Sequence, residues 1–294
     1  MDTNFIVIFS YFIVIYRIVQ LYEVLIAMSF QNQFTKTTTD ANLMETVHHG
    51  SAEYPFRYYY ENIALFDFKC IDWHWHSELE FIYIESGNVV FDIGTVHFEL
   101  NEGNGIMINS KILHRLQSSS DAIIPNFLFQ PSFIAPQDSL IYKKYINPVI
   151  SSSLEYLVFQ PDIPWQKKAL EIIKTIIAVQ ETEFNREIIV SMSVQQLWIL
   201  LLENLTFDQF ENMGAVISRT RLQLMMQYVH AHYSENITLE DIARTANISK
   251  STALHLFQNN LKLTPVKYLI NYRLKQAALL LINTEEKIAT ISNN

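Results

Sequence analysis

Residues 73–80 place histidine and glutamate side chains at alternate positions. The segment reads Trp73-His74-Trp75-His76-Ser77-Glu78-Leu79-Glu80. Because successive side chains of a β-strand point to opposite faces, the two histidines and the two glutamates are predicted to share one face. Imidazole and carboxylate groups can bind divalent metals such as Fe, Mn, Ni or Zn, and they can equally line a polar pocket for a small molecule.

A second group of candidate residues lies in the stretch TLEDIARTANISKSTALHLFQNNL, residues 238–261. Thr238 is a good helix N-cap, and Asp241 three residues later completes a short capping box. Ala246-Asn247-Ile248 predicts a turn, because Asn tolerates the backbone conformation that such a turn requires. Ser249 then caps a second helix, so the stretch has the layout of a helix-turn-helix.

The second helix of this stretch is predicted to present a polar surface. Leu254 and Phe257 are predicted to face inward, which leaves four donors facing outward: Lys250, Ser251, Thr252 and His255. Such side chains can donate hydrogen bonds to phosphates or to base edges when a helix enters the major groove. On spacing alone, a generic helical hairpin explains the same pattern.

The elements that must position the first candidate site are short strands. Between Arg57 and Phe129, β-branched and aromatic runs alternate with turn residues, which predicts a β-barrel or a sandwich. Ser86-Gly87-Asn88 separates two such runs and is predicted to form a hairpin turn. After Pro164 the apolar residues recur at helical spacing, and Asn185 separates two long helices. This helical hairpin is expected to pack on the barrel or on a second subunit.

Charge is divided unevenly along the chain. From Ala215 onward nine basic and five acidic residues give a net charge of +4, whereas residues 1–214 carry −13. A basic region on an acidic body favours an anionic partner for that region alone, although chance clustering on a solvated face gives the same numbers. Cys70 is the only cysteine, so no internal disulfide can form, as is typical of a reducing cytoplasm.

The first 28 residues are apolar but are interrupted by Arg17 and Glu23. A membrane-spanning helix needs about 20 mostly apolar residues, and the features of a signal peptide are absent. Three interpretations stay open: a poorly inserted membrane anchor, an apolar helix packed on the body, and a non-native extension upstream of Met28 or Met44. The third is the one we expect.

The C-terminal stretch resembles the AraC/XylS family of transcription activators. The matching residues are ITLEDIARTANISKSTALHLFQNNLKLTPVKYLINYRLKQAALLLINTEEKIATIS. They include the ITLEDIA start, the S-x-S-x-x-x-x-x-F helix, the L-T-P-x-x-Y joint and the Y-R-L-x-x-A-x-x-L-L helix. The resemblance implies two helix-turn-helix units, joined by a long helix, that contact adjacent segments of the major groove.

Two positions depart from this family pattern. Lys262 stands where the family usually has Gly, which predicts a strained end of the recognition helix if φ is positive there. The second unit is expected to begin near Thr284, which leaves 11 residues. Ile288-Ala289-Thr290-Ile291 fits the first helix of that unit, and its turn and recognition helix are expected to be incomplete.

The N-terminal candidate site resembles the cupin motifs. His74, His76, Glu80 and Gly87 match an H-x-H-x₃-E-x₆-G spacing, and residues 101–109 with His114 resemble the second motif. In cupin enzymes the resemblance implies a divalent metal at the three histidines and the glutamate. In AraC-like regulators it implies an effector in the barrel, often a sugar or another small metabolite. The aromatic residues Trp73, Trp75, Tyr83 and Phe91 could stack on a sugar, although strand aromatics usually form the core.

We therefore predict an α+β chain with an N-terminal cupin-like β-barrel followed by helices and an all-α helix-turn-helix domain. Residues 1–44 are assigned to an apolar extension and linker, and 45–135 to an effector-binding barrel. Residues 136–214 are assigned to a helical dimerisation region, and 215–294 to an AraC-type DNA-binding domain with an incomplete second unit.

The predicted function is that of a sequence-specific DNA-binding transcription regulator, such as an activator, in the cytoplasm. Its expected partners are DNA, a small effector for which a sugar is one candidate, and a second copy in a homodimer. No cofactor, metal, catalytic residue or membrane partner is expected. The residues assigned are His74, His76, Glu80 and His114 for the effector pocket, and Lys250, Ser251, Thr252 and His255 for DNA. A metal-dependent cupin enzyme and a membrane-tethered sensor stay open as alternatives.

Overall fold

The computed structural model describes residues 36–40, 43–94, 96–181, 184–205, 213–261 and 263–283. Its first part is built from nine strands. They are β1 (Phe56–Asn62), β2 (Cys70–His74), β3 (Leu79–Tyr83), β4 (Asn88–Ile93), β5 (Val96–Asn101), β6 (Gly105–Ile108), β7 (His114–Gln117), β8 (Ile123–Phe129) and β9 (Tyr156–Phe159). This part matches the predicted α+β class, in which a barrel-like pair of sheets precedes the helices.

The strands form two antiparallel sheets. One has the order β1-β8-β3-β6-β9 and the other the order β2-β7-β4-β5. The predicted hairpin around Ser86-Gly87-Asn88 is wrong, because β3 and β4 lie in different sheets. At these residues the chain instead crosses from one sheet to the other. Ser86 pairs with Ile123, and Gly87 has a φ of 80°. A Cβ at Gly87 would come within 2.5 Å of the Asp121 carbonyl oxygen, so a side chain is excluded there.

The five-stranded sheet is buried on both faces. Ile82 and Ile106 point between the sheets, whereas Phe81 and Met107 point to the opposite face of the same sheet. On that face they pack against helical residues such as Ile173. Burial of both faces explains why β6 is a continuous apolar run instead of an alternating one.

Seven α-helices complete the described part of the chain. They are α1 (Asn147–Ile150), α2 (Pro164–Ala178), α3 (Arg186–Asn204), α4 (Met213–His232), α5 (Leu239–Thr245), α6 (Lys250–Leu261) and α7 (Pro265–Asn283). Short 3-10 turns lie at Ile63–Leu65, Asp67–Lys69, Pro131–Phe133 and Val179–Glu181, and a π-helical turn at Tyr142–Ile146.

The helical hairpin of α2 and α3 packs on the barrel. Leu170, Ile173, Val194 and Leu197 share one buried cluster with the outer face of the five-stranded sheet. Asn185 separates the two helices, as predicted, and adopts a φ of 62°. Strand β9 lies inside the 136–214 region that we had predicted to be helical. It adds to the sheet beside β6, so the barrel draws on residues well beyond 135.

The helix-turn-helix forms as the sequence predicts. The Thr238 hydroxyl accepts from the Asp241 amide and the Asp241 carboxylate accepts from the Thr238 amide, which confirms the capping box. Asn247 has a φ of 51° in the turn. Phe257 is fully buried, but Leu254 is only half-buried. The inward positions of α6 are instead taken by Ala253 and Leu256 together with Phe257.

Several sequence-based expectations concern residues outside the described ranges. Residues 1–35, Lys262 and residues 284–294 belong to this group, so the N-terminal extension, the strained turn and the second unit stay predictions. Within the part of the chain that the structure describes, no helix has the length and the apolar character that crossing a membrane requires.

Candidate functional site

The structure brings His74, His76, Glu80 and His114 together. One ligand atom from each of the four side chains lies within 4.8 Å of every other, and all four residues are buried. They do not share one strand, as alternation alone suggested. His74 ends β2 and pairs with His114 at the start of β7, whereas Glu80 lies on β3 in the other sheet. His76 lies in the connection where the chain crosses between the sheets.

Glu78 has a different environment from the other three titratable residues of this segment. It is buried, but its carboxylate accepts a hydrogen bond of 2.6 Å from the Gln130 side-chain amide. Its other oxygen lies 3.8 Å from His76 Nδ1, too far for a hydrogen bond. Glu78 therefore lies on the outer side of His76 and outside the group of four.

Two of the histidine rings are oriented by main-chain carbonyls. His74 Nδ1 donates to the Asp72 carbonyl at 2.7 Å, and His114 Nδ1 donates to the Ile112 carbonyl at 2.9 Å. In the neutral His74 ring this hydrogen bond places the proton on Nδ1 and leaves the Nε2 lone pair unprotonated. Hydrogen bonds of this kind fix the orientation and the tautomer of histidines that bind metals.

Burial and neighbouring charges shift two pKa values in the group. Burial lowers the pKa of His74 to about 4, and the neighbouring His114 adds to this effect. The ring is therefore neutral near pH 7. Burial alone would raise the pKa of Glu80, but the His114 and His76 side chains lower it well below its ordinary value. The site thus holds a carboxylate and at least one neutral imidazole, which is the protonation state that ligates metals.

Beside this group the barrel interior contains a small cavity with both polar and apolar walls. A cavity of about 40 Å³ lies among His74, Glu80 and residues from β1, β8 and the N-terminal segment. Glu45 and His49 of the N-terminal segment line the cavity on one side. His49 contacts the Glu45 carboxylate at 3.1 Å and the Tyr59 hydroxyl at 2.9 Å. The His49 and His76 ring centroids are 5.7 Å apart.

The aromatic residues that we had considered for sugar stacking do not line this cavity. Phe91 is fully buried between the sheets and stacks on Phe98. Tyr83 lies beneath the Lys174 ammonium group, which is 4.7 Å from its ring. Trp73 and Trp75 belong to the cluster that joins the barrel to the helix-turn-helix. These side chains therefore form core and interface.

The four predicted DNA-contacting residues are all exposed on α6. The Ser249 hydroxyl accepts from the Thr252 amide at 3.1 Å and caps the helix, as predicted. Lys250 Nζ lies 3.3 Å from the Glu240 carboxylate, and His255 Nε2 lies 2.9 Å from the Asn259 amide nitrogen. These contacts are local and exposed, so the side chains can exchange them for contacts with a ligand.

An ion pair links the barrel to the helices that carry α6. Lys275 of α7 pairs with Asp72 of β2, two residues before His74. Burial alone would raise the pKa of Asp72, but the Lys275 charge lowers it. Beside this pair His230 contacts the Tyr268 hydroxyl at 2.7 Å and stacks on Tyr272 with ring centroids 3.8 Å apart.

The sequence analysis missed the acidic residue that faces His74 from β1. Glu61 lines the cavity and accepts a hydrogen bond of 2.7 Å from Asn126, while burial raises its pKa to about 8. Alternation along β1 was an available signal, because Tyr59 and Glu61 are two residues apart and both reach the cavity. Asp72 and Lys275 gave no such signal, since 203 positions separate them.

Comparison with known proteins agrees with this architecture. Residues 66–136 match the model of the AraC-like ligand binding domain. The chain is 32% identical over 260 residues to YdeC, an uncharacterized HTH-type transcriptional regulator of Bacillus subtilis, with 86% of this chain and 87% of that protein covered. It is 26% identical over 170 residues to the lactose operon transcription activator of Staphylococcus xylosus, covering 56% of this chain and 60% of that protein.

Among solved structures, ToxT from Vibrio cholerae matches 74% of this chain and 98% of its own, at 14% identity and a TM-score of 0.33. That likeness is too low to inform the details of the site. The similarity to YdeC extends over most of both chains. The chain therefore belongs to the AraC family of helix-turn-helix transcription regulators, with an AraC-like ligand-binding domain at its N-terminal end.

Proposed function

We propose that this regulator binds DNA through the exposed face of α6 and responds to an effector held by the histidine–glutamate group of the barrel. The observation that carries the proposal is the set of four exposed donors on a capped helix that follows a helix-turn-helix turn: Lys250, Ser251, Thr252 and His255. A helix with its N-terminal residues free in this way fits the major groove. The predicted DNA partner also implies that the protein acts in the cytoplasm.

Lys250 offers the sharpest test of the DNA-binding face. Its ammonium group pairs with exposed Glu240, its one ion-pair partner among the residues that the structure describes, and an exposed pair contributes little stability. We expect Lys250→Ala to weaken DNA binding broadly and to reduce the slope of log affinity against log salt by about one unit, if the side chain meets one phosphate. Fluorescence anisotropy at several salt concentrations measures both quantities.

Lys167→Ala is the matched control, because Lys167 is an exposed lysine on α2, away from the helix-turn-helix. It removes the same charge from the chain. If the two variants change the salt slope equally, net charge explains the effect. If neither changes it, the α6 face is not the DNA interface.

The barrel interior is proposed as the effector site because His74, His76, Glu80 and His114 converge there, and two of them, His74 and Glu80, line a small cavity. A sugar is the effector class that the name of the lactose operon relative suggests. The cavity of about 40 Å³ holds only a few water molecules, so a sugar would fit only if the segment carrying Glu45 and His49 moved away.

We infer a homodimer from the outer face of α3. Ile188, Met192 and Ile199 lie on one side of that helix and are 61%, 67% and 57% exposed. An apolar groove between α3 and the segment around Tyr145 continues this face. Contiguous exposed apolar surface of this kind is typical of a protein–protein interface.

Light scattering after gel filtration tests the dimer. We expect the wild-type chain to be dimeric and Met192→Glu to shift it toward monomer. Ser119→Glu adds the same charge at an exposed loop position and should leave the dimer intact. A monomeric wild type, or equal dissociation of both variants, would remove α3 as the interface.

We also propose that the barrel binds its effector without turning it over. The relatives whose names assign a role, such as the lactose operon transcription activator of Staphylococcus xylosus, are transcription regulators. Incubating the full chain with candidate metabolites and following their loss tests this point, and enzymatic turnover would contradict it.

A further inference from the structure

A cavity of about 410 Å³ lies outside the barrel, between the four-stranded sheet and the helices of the helix-turn-helix region. One wall comes from β2, β4, β5 and β7, and the other from α4, α6 and α7. On β7, Leu116 points into the barrel core whereas Arg115 and Gln117 line this cavity, so it lies on the outer face of the sheet. Its volume is within the range of small-molecule sites, about 300–1,000 Å³.

The sheet presents a row of titratable side chains to this cavity. His97, Asp92 and Arg115 lie opposite one another on the neighbouring strands β5, β4 and β7. Strand β2 is next to β7, and its Asp72 also lines the cavity and pairs with Lys275 of α7. Basic and acidic groups therefore alternate along the row, which ends on a helix of the DNA-binding region.

The formal charges of the aspartate, arginine and lysine side chains around the cavity cancel. Asp72 and Asp92 balance Arg115 and Lys275. Burial lowers the pKa of His230, which also lines the cavity, to about 4, so this ring is neutral near pH 7. A ligand with a net charge would leave one charge without a partner in this half-buried junction. The balance suits a molecule that is neutral or that carries one positive and one negative group.

The contact between Arg115 and Asp92 is the weakest link of the row. Arg115 Nε lies 3.5 Å from the Asp92 carboxylate, beyond the usual length of a hydrogen bond. Among the residues that the structure describes, this nitrogen is buried without a hydrogen-bond partner, so the guanidinium does not use all of its donors. The other Asp92 oxygen lies 2.7 Å from His97 Nδ1. A ligand carboxylate at Arg115 and a ligand ammonium at Asp92 would replace one long contact by two charge-assisted hydrogen bonds.

The opposite wall offers uncharged polar groups and an aromatic ring. Asn260 of α6 and Asn271 of α7 line the cavity, and a side-chain amide can both donate and accept. Tyr272 lines it beside them and stacks on His230. These groups suit the uncharged part of a molecule whose charged end lies on the sheet. A ligand held between the two walls contacts the barrel and the DNA-binding helices at once.

We propose that this cavity binds a small zwitterion of the α-amino-acid class, with its carboxylate at Arg115 and its ammonium at Asp92. A neutral polyhydroxylated molecule would bring no charges to replace the attraction between these two side chains. The site is separate from the histidine–glutamate group inside the barrel, so the inference goes beyond the proposed function. Because the ligand touches both walls, it favours the arrangement in which barrel and helices are in contact, and it should change DNA binding.

The test screens the common L-amino acids, one at a time, for thermal stabilisation of the full chain, and then measures binding by isothermal titration calorimetry. We expect saturable binding of at least one of them, with one equivalent per chain. The amide of that amino acid lacks the carboxylate, and its N-acetyl derivative lacks the ammonium. Each derivative should bind at least about tenfold more weakly, because each loses a hydrogen bond between charged groups.

Two variants locate the site. Arg115→Met and Asp92→Asn should each weaken binding of the amino acid at least about tenfold. Arg115→Met should no longer prefer the amino acid to its amide, and Asp92→Asn should no longer prefer it to the N-acetyl derivative. Glu99→Gln is the matched control, because it neutralises an exposed carboxylate on β5, two residues from His97 and outside the cavity. It should bind like the wild type.

The second readout is the DNA affinity of the same samples, with and without the amino acid. We expect the amino acid to change the affinity several-fold for the wild type and for Glu99→Gln, but not for Asp92→Asn. Absence of binding by every amino acid, tighter binding of glucose or sorbitol than of any amino acid, or equal binding by Asp92→Asn would each overturn the proposal. Asp92→Asn decides the site even if Arg115→Met does not fold.

Binding without any effect on DNA affinity would overturn the regulatory role of the cavity. DNA binding by the ligand-free chain would show that the proposed function survives such a failure.

Discussion

Lys275→Met should loosen the junction between the barrel and the DNA-binding helices. Lys275 and Asp72 form an ion pair whose side chains are 28% and 22% exposed. Breaking a buried pair by removing one partner costs about 3–5 kcal/mol, whereas exposed pairs contribute about 0–1 kcal/mol. Because this pair is about one-quarter exposed, we expect an intermediate loss of roughly 2 kcal/mol, and Asp72 is left without its counter-charge.

The assay is a double-mutant cycle of Asp72→Asn and Lys275→Met, with stability measured by urea unfolding. We expect the double variant to recover about 1–2 kcal/mol relative to the sum of the single effects, because each single variant leaves one charge without its partner and the double variant leaves none. Lys69→Met is the matched control: Lys69 lies 4.0 Å from Asp121, both side chains are well exposed, and the change should cost less than about 1 kcal/mol.

A coupling energy near zero would refute this reasoning. It would mean that the two side chains do not interact in solution and that the barrel and α7 are held together by apolar contacts alone. A loss of stability in Lys69→Met as large as that in Lys275→Met would also refute it, because the effect would then be one of lysine replacement in general.

Three further predictions concern the helices. Phe257→Ala should destabilise the helix-turn-helix by about 3–5 kcal/mol in urea titrations, because the ring is fully buried, and an effect below about 1 kcal/mol would contradict the packing. His255→Ala should change the preference among DNA sites in a competition assay if the ring reaches a base edge, whereas equal ranking of sites would remove it from base recognition. Burial lowers the pKa of His230 to about 4. Between pH 6.5 and 4 the unfolded chain therefore binds a proton at His230 that the folded chain does not bind. The free energy of unfolding should fall by up to about 3 kcal/mol as the pH falls through that window. His230→Gln should lose this part of the pH dependence, and an unchanged profile would show that His230 titrates normally.

Local sequence signals predicted the helix-turn-helix almost completely. Thr238 and Ser249 cap helices and Asn247 forms the turn between them, and each of these roles depends only on residues close by in the sequence. Capping and turn preferences are therefore enough to predict them. The inward face of α6 was harder to predict. Leu254 and Leu256 have the same side chain, and the helices packed around α6 decide which one is buried.

The barrel shows where local signals are insufficient. The strands around Gly87 were predicted, but a turn that joins two strands of one sheet has the same residues as a turn that crosses between sheets. Strand β9 was missed because its pairing partner, β6, lies about 50 positions earlier. The spacing of His74, His76 and Glu80 did indicate a shared site, although three different elements deliver them.

The central claim is that the face of α6 carrying Lys250 contacts DNA. Lysine-reactive labelling of the full chain, with and without a DNA fragment that the chain has selected from a random pool, tests it most directly. We predict that DNA slows the labelling of Lys250 several-fold, that high salt restores it, and that labelling of exposed Lys167 on α2 does not change. Equal labelling of Lys250 with and without bound DNA would contradict the account.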